Sequence, residues 1–220
     1  MKKIKLSLLV TTILSYSAMW AQVQVSKEPL HKKVVENEYI RLLDVWLQPG
    51  DTSLFHIHST PSVFLIFTET NTVSQIKGGE WEKGKNVAGY SWYRSFFQDT
   101  LIHRVGNCDT VPFHVTDVEL LSSFDINVKK APLPFPLLYE NEKVFAYRLT
   151  KNGFTTAAIS NRGPMIAELV TGDEVFYADT ATGEKKEIKA GGYLYLKPGE
   201  SFYLAFKGKE KVNMVLFEIK

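Results

Sequence analysis

His56, Ile57 and His58 put two imidazoles two residues apart, just after the turn formed by Pro49, Gly50 and Asp51. If Thr52–His58 is extended, period-2 alternation sends both rings to one face and Phe55 and Ile57 to the other. With a rise of about 3.3 Å per residue the two rings start roughly 6–7 Å apart along the strand and can converge on one metal ion. Two histidines alone would serve equally well as exposed or hydrogen-bonded rings. His103, followed by Arg104, Val105, Gly106 and Asn107, offers a third imidazole from a later strand.

Other polar residues near these three could touch a ligand. Ser62 offers a hydroxyl at the start of the next apolar segment. Asn107 either contacts substrate or satisfies turn backbone, and the preceding Gly106 favours the turn. Tyr93 and Arg94 alternate on one strand, so only one of them faces a pocket. Arg94 would suit an anionic substrate such as a carboxylate, or a surface salt bridge. Cys108 has no adjoining base and reads as a small buried hydrophobe rather than a nucleophile. His31 and His114 read as structural or exposed, and Trp81 and Trp92 as core or pocket-wall aromatics.

These residues must be held by strands. Segments rich in β-branched and aromatic residues, bounded by Gly, Pro, Asn and Asp, run over 39–47, 53–58, 62–68, 91–97, 101–105, 111–121, 144–149, 165–170, 193–196, 202–206 and 212–219. No stretch carries helical periodicity. Short strands at regular spacing predict an all-β sandwich or barrel. Pro132, Pro134 and Pro136 stand at alternate positions, which bars pairing within a sheet and marks residues 129–139 as a Pro-rich linker. The halves on either side share landmarks: Glu36-Asn37-Glu38 returns as Glu140-Asn141-Glu142, and the segment 60–68 runs parallel to 163–171.

At this point the chain resembles the cupin superfamily. Gly50, His56 and His58 match its first motif, a Gly followed by His-x-His, and His103 with Asn107 matches its second; the match covers most of residues 36–121. The resemblance implies two cupin-type jelly-roll β-barrels in tandem, with a divalent metal inside the first, held by His56, His58 and His103. The family's Glu ligand should fall at Ser62 or Val63, and neither is acidic. What remains is a three-His set with open positions for water or substrate. Such a set suits Fe(II), Zn, Ni or Cu, with no carboxylate to favour Mg or Mn. Cupins with three His and no Glu include thiol and ring-cleaving dioxygenases, whereas a catalytic zinc would activate water.

In the second copy the 103-residue offset puts Ile159 and Asn161 where His56 and His58 stand, and Phe202 takes the place of the second-motif His. That copy therefore predicts a cupin without metal, there to cover the first half or close one side of its pocket. Phe55 and Ile57 predict an apolar outer face, which the second copy or another chain, as in a homodimer, must cover.

Lys2, Lys3 and Lys5 ahead of an apolar run and Ala21 read as a signal peptide over 1–21, too short to leave a stable membrane anchor, and predict a periplasmic or secreted protein. The expected order is then an N-terminal cupin domain over 22–128, the linker, and a C-terminal degenerate copy over 140–220. The whole chain has 26 Lys and Arg against 24 Asp and Glu; without the leader's three lysines 23 positive charges face 24 negative ones. That balance gives no basis for nucleic-acid binding, and one Cys excludes an internal disulfide. The expected partner is a small-molecule ligand or substrate. Three functions follow: a metal-dependent enzyme with dioxygenase-like or hydrolytic chemistry on a small polar molecule, a non-catalytic binder of a sugar or acid, or a structural module with a vestigial site.

Overall fold

The computed structural model describes residues 22–124, 131–151 and 153–220. The leader over 1–21, with cleavage after Ala21, lies outside the described residues, as do Lys129 and Lys130 of the Pro-rich linker.

The first half contains β1 (Val23–Gln24), β2 (His31–Glu36), β3 (Ile40–Leu47), β4 (His56–His58), β5 (Ser62–Ile66), β6 (Thr70–Ile76), β7 (Trp81–Asn86), β8 (Ser91–Arg94), β9 (Leu101–Asn107) and β10 (Phe113–Leu120). They form two five-stranded sheets, ordered β1-β4-β9-β6-β7 and β2-β3-β10-β5-β8. The second half contains β11 (Leu137–Glu140), β12 (Val144–Leu149), β13 (Met165–Thr171), β14 (Glu174–Asp179), β15 (Lys185–Ile188), β16 (Gly192–Leu196), β17 (Phe202–Lys207) and β18 (Asn213–Ile219). Its sheets are ordered β11-β12-β18-β13-β16 and β15-β14-β17. Each half is a jelly-roll sandwich of two sheets, so the expected barrels take the form of sandwiches. The last residues of the proline-rich stretch, Leu137–Tyr139, already belong to β11, which pairs with β12.

The order β2-β3-β10-β5-β8 reappears strand for strand as β11-β12-β18-β13-β16, and β7-β6-β9 reappears as β15-β14-β17. The repeated Glu-Asn-Glu landmarks are the same turn. Asn37 Oδ1 accepts the backbone N–H groups of Tyr39 and Ile40, and Asn141 Oδ1 those of Lys143 and Val144. Opposite β17, the counterpart of β4 is reduced to isolated bridges at Thr155–Ala205 and Ile159–Phe202. The second bridge corresponds to the His56–His103 pairing of β4 and β9. Ile159 and Phe202 are buried in the second half's core with Tyr147, Met165 and Phe206. Apolar side chains thus fill the space that the histidines occupy in the first half.

Alternation along β10 explains how the halves meet. Phe113 and Val115 face the interior of the first sandwich with Leu43, Val45 and Leu47, while Val118 and Leu120 join Ile40, Leu42, Val63 and Leu65 on the opposite face. That opposite face packs on Val144, Ala146, Ile166, Val215 and Phe217 of the second half. Each fully buried side chain of this kind contributes about 1.5–3 kcal/mol. Exposing half a dozen of them would cost as much as the ~5–15 kcal/mol that holds a typical domain together. The second half therefore covers the sheet built on β3, β10 and β5. It does not cover the outer face of β4, where Phe55 lies under the Arg104 guanidinium at 4.7 Å.

Candidate metal centre

β4 and β9 pair antiparallel with His56 directly opposite His103 and His58 opposite Leu101. The pairing brings a nitrogen from each of His56, His58 and His103 within 4.8 Å of the other two. His58 Nε2 stands 3.1 Å from His103 Nε2. Both His56 and His58 are buried, at 1% and 4% exposure.

The outer nitrogens show which way the rings are turned. His56 Nδ1 lies 2.9 Å from the Leu54 carbonyl oxygen. A carbonyl only accepts, so Nδ1 carries the proton and Nε2 keeps its lone pair. His103 Nδ1 is 3.4 Å from Ser74 Oγ, and His58 Nδ1 is 3.3 Å from Asp117 Oδ2. Burial, followed by the neighbouring imidazoles His31, His103 and His58, holds His56 down at about 2. Burial and the charges of His58, His31 and Arg94 hold His103 at about 3. Both rings are neutral at any physiological pH, the state in which imidazole binds a metal. At 3.1 Å, Nε2 of His58 and Nε2 of His103 are close enough to share one proton or bind one cation. Three nitrogen donors, two of them with the outer nitrogen engaged elsewhere, fit a divalent transition metal.

The triad borders a cavity of about 210 Å³ lined by Val45, Leu47, Phe64, Trp92, Val105, Phe113 and Val115 together with Thr72, Asn86, His31 and Asp117. Every lining residue comes from the first half, so the second half does not close the pocket. His103 and Ser74 also border an outer vestibule with Lys77, Glu80, Glu82 and Arg94. Phe96 packs beside the triad. Its ring stacks on His58 at 5.2 Å, and the Arg94 guanidinium lies 4.9 Å above it. Phe96 has φ +56°, a left-handed conformation that costs a bulky side chain energy.

Of the other expected contacts, only Arg94 reaches this region, on the same side of β8 as Trp92. Tyr93 alternates to the far side, where its hydroxyl donates to Glu142 of the second half at 2.7 Å. Ser62 is fully buried, donates to the Thr60 carbonyl at 3.1 Å and does not line the cavity. Asn107 donates to the Leu47 and Val111 carbonyls and accepts from Asp109 N–H, which is turn chemistry. Cys108 is exposed rather than buried. His114 is buried between Trp46 and Phe67 and bonded to Asp44 at 2.7 Å, as a structural histidine would be.

Three residues of the site escaped the sequence reading. His31 lines the cavity, its ring 4.6 Å from that of His56, and its Nδ1 lies 2.6 Å from Glu28 Oε2. Glu28 Oε1 accepts from Leu54 N–H, so one buried carboxylate steadies both His31 and the backbone that holds His56. Asp117 is the third. Its signal was present: on β10 it shares a face with Phe113 and Val115, an acid where alternation calls for an apolar residue.

No protein-family model and no curated protein matches the chain. Solved structures do. The chain is similar to AerE from Microcystis aeruginosa, at 11% identity over 88% of this chain and 98% of that one, with a TM-score of 0.59. A cupin 2 conserved barrel domain protein from Leptotrichia buccalis aligns at 11% identity over 86% and 88%, with a TM-score of 0.56. The salicylate 1,2-dioxygenase from Pseudaminobacter salicylatoxidans aligns at 10% identity over 86% and 76%, with a TM-score of 0.59.

Proposed function

We propose that this chain, two cupin folds in tandem, is an exported metal-dependent enzyme acting on a small molecule with an apolar body and an anionic group. The observation that carries the proposal is the convergence of three imidazoles at an apolar cavity whose vestibule contains an arginine. His56, His58 and His103 would hold a divalent transition metal. With three protein ligands, that ion would offer open positions for polarising a bound substrate or for dioxygen chemistry.

The chain's own residues supply the rest. Phe64, Trp92, Phe113 and Val115 exclude water and bind the apolar body of a substrate, about 25 cal/mol for each Å² covered. Arg94, stacked on Phe96 and only 3.7 Å from the highly exposed Asp99, has donors to spare for a carboxylate arriving through the vestibule. Likeness in fold to a salicylate dioxygenase supports oxygen-dependent chemistry over hydrolysis. The burial of Glu28, His31 and Asp117 around the triad supports a working site over a vestigial one, because unneeded buried polar groups are costly.

Elemental analysis of the purified protein, beside His56→Ala, tests the metal. About one transition-metal ion per chain, lost in the variant, is the expected result; equal metal in both sinks the site. Oxygen uptake on small aromatic and aliphatic carboxylates then tests the chemistry. Thermal stabilisation by such a compound with no turnover under any metal would instead establish a binding protein. Export is checked by the N-terminus of the mature chain, expected at Gln22.

A further inference from the structure

Asp117 is the buried acid that no partner accounts for. It lies mid-strand on β10, opposite Leu43 of β3 and Phe64 of β5, at 2% exposure. Neither carboxylate oxygen has a hydrogen-bond partner, and His58 Nδ1 has none either, although Oδ2 stands 3.3 Å from that nitrogen. The other two rings of the triad already have their outer nitrogens engaged, by the Leu54 carbonyl and by Ser74. A buried carboxylate without compensation costs several kcal/mol. A fold that keeps one beside three histidines has a use for its charge.

We infer that Asp117 is the positioning residue of the metal centre, acting through His58. Its carboxylate accepts the proton on His58 Nδ1, which fixes the tautomer with the lone pair on Nε2, the nitrogen that faces His103. It also supplies, from outside the coordination sphere, negative charge that three neutral imidazoles cannot. A divalent cation on such a set keeps its full charge inside an apolar cavity, where charge is poorly screened. Asp117 on one side and Glu28 on the other, through Leu54 and His56, answer that charge without occupying a coordination position. A carboxylate held in that outer position leaves the metal more open to substrate than a carboxylate ligand would. The inference rests on the metal reading of the triad.

Two variants test it. Asp117→Leu removes the acceptor and fills its volume, and Asp117→Asn keeps the shape but loses the charge; swapping a buried charge for an apolar residue of similar size is commonly tolerated by the fold. Long-range proton–nitrogen NMR correlations on the metal-free protein read the His58 tautomer directly. Wild type should show the proton on Nδ1, and Asp117→Leu should shift His58 toward the other tautomer. Competition with a chromophoric chelator should show Zn²⁺ affinity falling about 10–100-fold in both variants. An unchanged His58 tautomer in Asp117→Leu, or Zn²⁺ affinity within twofold of wild type in both variants, overturns the role. Wild type that binds no Zn²⁺ overturns the metal reading and this role with it, so the two failures are distinguishable.

Discussion

Glu168 should make the protein lose stability as pH rises through neutrality. It sits at the centre of β13, fully buried, on the face that packs against the first half. Thr116 donates to its Oε2 at 3.0 Å, while Oε1 has no partner. Around it are Asp44, which accepts from His114 and from Tyr193, and the hydroxyl of Tyr139, bonded to Ser91. Burial first, with the charge of Asp44 adding, raises the Glu168 carboxyl from its ordinary 4.5 to about 8.

The sign follows from proton binding. Between pH 4.5 and 8 the folded state holds a proton at Glu168 that the unfolded state has released, so stability falls as pH rises across that window. For these two values the loss between pH 6 and pH 8 is about 2 kcal/mol. In a chain of this length about 2 kcal/mol lowers the melting temperature by roughly 4–8 °C. Glu168→Gln keeps an acceptor for Thr116 and cannot ionise, so its melting temperature should pull ahead of wild type by that amount over the same interval. Scanning calorimetry of both proteins at half-unit pH steps isolates the term, because every other titrating group is common to both. Profiles that run parallel from pH 6 to pH 8 would refute the reasoning, since they would mean that Glu168 is already ionised inside the fold.

Phe96→Gly should remove the left-handed backbone strain and, at the same time, the ring stacked on His58 under Arg94. Chelators should strip metal from it several-fold faster than from wild type, as measured by stopped-flow; equal rates would show that Phe96 does not control access. Gly163→Ala places a Cβ against the Ile219 carbonyl oxygen and the Phe124 ring, and should destabilise by about 1–3 kcal/mol in urea melts. Asn37→Ala and Asn141→Ala each free two turn N–H groups and should each cost about 1–2 kcal/mol. A large difference between the two would show that the matching turns are not energetically equivalent.

Period-2 alternation found β3, β5, β10, β12, β13 and β18, strands that bury a face, but not β14, which buries Val175 and Tyr177. It missed β7 and β15, whose Lys, Glu and Gly residues are almost all exposed at sheet edges, because an edge strand has little to bury and so no apolar pattern to read. It missed β6, where Thr70, Thr72 and Ser74 turn polar side chains inward toward the site. The triad was legible because two of its members lie on one strand at the one spacing that shares a face. Glu28 and His31 left no such trace. They lie in a short turn and at the start of a polar strand, and only the parallel pairing of β1 with β4 brings that segment against His56.

Comparison of the halves shows what the site costs the first one. At the equivalent bridge, the second half has Ile159 and Phe202, which complete a continuous apolar core with Leu204 and Phe206. In the first half the same position is occupied by His56 and His103, ringed by Glu28, His31, Ser74 and Asp117, and its apolar interior shrinks to a small cluster around Val25, Leu43, Val45 and Phe113. A sandwich with so many buried polar groups and an open cavity is a poor candidate for independent stability. The second half offsets this by burying the whole outer face of β3, β10 and β5, so β10 is covered along its full length on both sides. The apolar pair in one copy and the histidines in the other are therefore physically complementary. The half without histidines supplies the hydrophobic burial that offsets the polar interior of its neighbour.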